Sequence, residues 1–174
     1  MKTKTTTDQQ IANSIKWIDN LDPNEGFKKT ISFLGVRTDG QGGFRNTDDW
    51  EDVKDFKTEG QYCCLGVACV TLGIIRTENK YDDPHDKFVF KQGTEQRLTE
   101  KLGFIHDSGL FGTLDDYADN PVPTVKGIPQ FGFEGLISFN DCLYNSDNDF
   151  TNMRNVILEN LDIIFMPKVA QDLK

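Results

Sequence analysis

The chain has 174 residues, enough for one domain whose core needs no metal or disulfide support. Its 28 acidic and 19 basic residues leave a net charge of -9, which argues against broad electrostatic attachment to nucleic acid or an anionic membrane but leaves open a local basic pocket for a small anion. Hydrophobic residues at 37%, with 13 Phe, separate it from disordered chains, which lack the apolar content to bury a core.

Residues 1–7 read as a frayed tail and 8–174 as a single domain. The polar start has no apolar stretch of the secretory kind, and no run of about 18 apolar residues follows. A cytoplasmic location with reduced thiols and no membrane contact is therefore expected.

The spacing of Ile11, Ile15 and Ile18, with Trp17 and Leu21 close by, predicts an amphipathic helix over 8–21, capped by Asp8 and stopped at Asp22-Pro23-Asn24. Residues 30–36 suit a short strand, 38–46 a glycine-containing loop, and 48–56 a short helix. The most apolar stretch, 62–73, fits a buried helix ended by Gly73, with a buried strand as the rival. A hairpin is expected over 74–91 and a helix over 94–102, capped by Thr94 and stopped by Gly103. Periodicity is weak over 105–135, where Gly109, Gly112, Pro121, Pro123, Gly127 and Pro129 point to short strands and long loops. A short helix is expected over 136–144. A longer one follows over 149–165, capped by Asp149 and closed by Pro167, with Met153, Val156, Ile157, Leu161 and Ile164 in helical register. Together these predict an α+β fold: a small, mainly antiparallel sheet covered by helices at 8–21, 62–73 and 149–165.

No dinucleotide, phosphate-loop, zinc-protease or serine-hydrolase motif occurs. The spacing of Cys63, Cys64, Cys69 and Cys142 is not the paired Cys-x-x-Cys of zinc sites, so no metal and no cofactor is expected. Cys63 and Cys64 fall where the 62–73 helix begins, a position whose free amides favour thiolate. The order Cys64, His106, Asn140 is that of papain-like hydrolases, in which the His takes the thiol proton and the Asn orients its ring. Set against this, free cysteine is among the most buried residue types, and a packing role is the stronger expectation. Asn140-Asp141 suits a backbone-binding pair. Arg37, Arg45 and Lys126, in glycine- and proline-containing stretches, together with Asp141, are candidate ligand contacts.

Trp17 with Leu21, then Gly26-Phe27-Lys28-Lys29, then Tyr62-Cys63-Cys64-Leu65-Gly66-Val67-Ala68-Cys69 resemble a family of small uncharacterised proteins of tailed bacteriophages. Phe139-Asn140-Asp141 and Asp149-Phe150-Thr151 resemble its later segments, the last with altered order, whereas 38–46 and 121–129 depart from it. The resemblance implies a phage or prophage source, hence the host cytoplasm, and carries no established activity. Two functional classes follow from the residues. One is a non-catalytic accessory protein that binds a host protein or a small signalling molecule, its acidic surface suiting a soluble binder. The other is a thiol-dependent hydrolase or transferase using Cys64, His106 and Asn140.

Overall fold

The computed structural model describes residues 5–30, 35–37, 55–74, 94–111, 126, 135–141 and 149–174. Helix α1 spans Thr7–Asn20. Its cap is Thr6, two residues earlier than the expected Asp8: Thr6 Oγ1 accepts from the Gln9 amide at 3.3 Å and Gln9 Oε1 accepts from the Thr6 amide at 2.9 Å. This reciprocal pair satisfies two backbone donors at once, and Asp8 sits in the first turn, where its charge favours the helix N-terminus. A 3-10 turn at Pro23–Glu25 follows, as the Asp-Pro-Asn stop requires.

The chain then builds a sheet of very short strands: β1 at Lys28–Lys29, β2 at Gly35–Arg37 and β3 at Gly60–Tyr62, which helix α2 at Phe56–Glu59 precedes. Their order is β1-β3-β2, with β1 parallel and β2 antiparallel to β3. Helix α3 covers Cys64–Thr71, α4 Thr94–Leu102, α5 Leu136–Asp141, α6 Thr151–Glu159, α7 Leu161–Ile164 and α8 Pro167–Asp172.

The architecture corrects the expected fold class. The described chain is α-rich, and its sheet is a mixed patch whose parallel β1–β3 pair spans two residues, not a mainly antiparallel platform covered by helices. Strands this short cannot present an apolar face wide enough to seat three helices. The helices pack on one another instead. Helix α3 is the pivot because it is apolar on every side, and Cys64, Leu65, Gly66, Val67, Ala68 and Cys69 are all buried. The 62–73 stretch is thus a helix, with Tyr62 left to the sheet. Its end forms a Schellman motif: Ile74 N–H donates to Cys69 O and Gly73 N–H to Val70 O, with Gly73 at φ 61°. The 149–165 helix is also corrected. It breaks at Asn160, and Pro167 opens α8 at its first turn rather than closing the preceding helix. Most of the expected 48–56 helix, and the 74–91 hairpin beyond residue 74, lie outside the described residues.

One core joins these parts. Trp17 meets Phe104 edge-on at 5.6 Å and Phe165 at 6.4 Å, and Phe104 and Phe165 lie 5.4 Å apart. All three rings are fully buried. The buried face of α1 carries polar groups as well. Gln10 Nε2, Asn13 Nδ2 and Ser14 Oγ donate to the carbonyls of Glu100, Lys101 and Leu102 at 2.9, 2.9 and 2.8 Å. Those are carbonyls at the C-terminal end of α4, where a helix has no amides of its own to offer. The i, i+3, i+4 spacing on α1 puts the three donors on one side, so α1 caps α4.

Candidate functional site

The candidate site lies where β3 turns into α3. Tyr62 ends the strand, and Cys63 takes the cap position of α3 with extended backbone. A sulfur does the work usually left to Ser or Asp: Cys63 Sγ accepts from the Gly66 amide at 3.4 Å. Cys64, in the first turn, donates its thiol hydrogen toward the Leu136 carbonyl on α5 at 3.8 Å. Cys63, Cys64 and Cys69 are free thiols and buried.

Burial decides their acidity. It pushes the Cys63 thiol up to about 12, and the opposing bonds from the Gly66 and Leu65 backbone do not offset it. Burial also raises Cys64 well above the ordinary thiol value, with further raising from neighbouring Cys63 and from Asp141; the Leu65 amide and Lys29 pull the other way without offsetting it. Cys69 rises for the same reason. The helix N-terminus favours thiolate, but removing the sulfur from water is the larger effect here.

Asn140 is fully buried on α5 and ties three segments together. Its Oδ1 accepts from the Cys64 amide at 3.2 Å, and its Nδ2 donates to Thr30 O at 2.9 Å and to Asp141 Oδ1 at 3.0 Å. The carboxamide therefore serves the first turn of α3 and the chain just after β1, with both of its N–H groups engaged. Asp141 is half-buried beside it. His106 is half-buried at the cap position of the 3-10 turn Asp107–Gly109. That turn packs against α4 and α5.

Of the candidate residues, the structure thus brings Cys64, Asn140 and Asp141 together. Arg37 lies on β2, its backbone paired with Gly60, and Arg45 lies outside the described residues. Lys126 is exposed, and its backbone is held by a residue the sequence reading passed over. Asn160, only 4% exposed, accepts from the Lys126 amide through Oδ1 and donates to the Lys126 carbonyl through Nδ2, both at 2.9 Å. A polar residue standing on the apolar stripe of Met153, Val156, Ile157, Leu161 and Ile164 was the signal available for it.

The arrangement binds backbone and withholds thiols from solvent. Among the described residues no group of three His, Cys, Asp or Glu side chains is placed to hold a metal ion, and no helix is long and apolar enough to cross a membrane. No protein-family model, curated protein or solved structure matches the chain.

Proposed function

We propose that this chain is a phage-encoded accessory protein that acts in the host cytoplasm by binding, without catalysis, a host protein or a small signalling molecule. The observation that carries this reading is the state of Cys64: a buried thiol with raised pKa, its hydrogen directed at a backbone carbonyl. A nucleophilic cysteine needs thiolate and an approach for substrate, and this one has neither. The thiol-dependent alternative has less support for a second reason. Asn140, its ring-orienting candidate, already has its oxygen on the Cys64 amide and both N–H groups on other acceptors. The phage source rests on the resemblance of the Tyr62-to-Cys69 segment, and the net charge of -9 suits a binder of a cationic surface. Arg37, Arg45, Lys126 and Asp141 remain the proposed ligand contacts.

The test has two arms. Proteins and metabolites retained from lysate of infected cells are identified by mass spectrometry and titrated back onto the purified chain. In parallel, wild type and Cys64→Ser are run through a general hydrolase and transferase screen. Saturable binding of a recovered molecule, with no Cys64-dependent turnover, is the expected result. Turnover that Cys64→Ser abolishes, with its unfolding midpoint unchanged, overturns it.

A further inference from the structure

We draw no further inference here: the strongest candidate, the apolar surface patch of Ile105 and Met166 exposed beside the Phe104–Phe165 bridge, carries nothing because nothing in the structure shows what covers it.

Discussion

At Cys63 the same atom both caps a helix and sits out of reach of water, and the two circumstances pull its ionisation in opposite directions. Because burial prevails, the folded thiol ionises near 12 against an ordinary 9.0. Below pH 9 both folded and unfolded forms are protonated, and the thiol leaves stability independent of pH. Between 9 and about 12 the unfolded chain loses a proton the folded chain retains, so stability falls as pH rises, by about 1.4 kcal/mol per pH unit for this thiol alone. Urea midpoints measured from pH 8 to 11 should show this decline, and Cys63→Ser should make it shallower. At pH 7.5 Cys63, Cys64 and Cys69 should react with an aromatic disulfide reagent only as fast as the protein opens; a rapid thiol mapped to any of the three contradicts their burial. Asn140 gives a second, ordered expectation. Asn140→Ala leaves the Cys64 amide and Thr30 carbonyl without their partner and should lower stability by about 2–4 kcal/mol. Asn140→Asp turns a carboxylate oxygen toward Thr30 O and Asp141 and should be worse than Ala at pH 7, as read from denaturation midpoints.

Between α1 and α4 the interface is made by polar side chains as much as by apolar ones, and this is where the sequence was hardest to read. Ile11, Ile15 and Ile18 looked like the inward face of α1, yet Ile15 is 44% exposed while Gln10 and Ser14 are buried. Helical period alone ranks Ile above Gln and Ser, because it does not register a neighbouring helix end in need of donors. The existence of α1, α3, α4 and α5 was legible from apolar spacing and from stops such as Gly73 and Gly103. The mixed sheet was not, since strands of two or three residues carry too little pattern, and the break at Asn160 was masked by an unbroken apolar stripe. At the site, the burial of the cysteines was legible from their apolar neighbours; the Lys126 clasp was not, because its partner lies 34 residues away in sequence. Replacing Gln10, Asn13 and Ser14 together by Ala should cost about 2–4 kcal/mol by leaving the α4 carbonyls unpaired. The two glycine stops should differ. Gly73→Ala meets nothing within 4 Å and carries only the left-handed backbone cost, about 1–2 kcal/mol. Gly103→Ala adds a Cβ 2.9 Å from Val169 Cγ2 and should exceed it in thermal unfolding.

For the molecule as a whole, the ring cluster of Trp17, Phe104 and Phe165 is the point where α1, the chain leaving α4 and the chain joining α7 to α8 converge. Phe165→Ala should lower stability by about 3–5 kcal/mol in denaturant titration, because a cavity there undercuts all three. A final consequence comes from the donor ladder of α1. Its acceptors lie 90, 88 and 88 residues further along the chain, Asn140 reaches Thr30 across 110, and Arg154 Nε donates to Ile18 O across 136. A fold rich in helix is usually quick to form because its contacts are local; these bonds are not local, and each must wait for a long loop to close. On the ribosome, at about 5–20 residues per second, α1 waits on the order of ten seconds for α4 and longer for α6. Until then Gln10, Asn13 and Ser14 face water on a helix too short to persist alone. Folding is therefore deferred until the later helices have emerged, and until then α3, apolar on every side, has no complete core to enter.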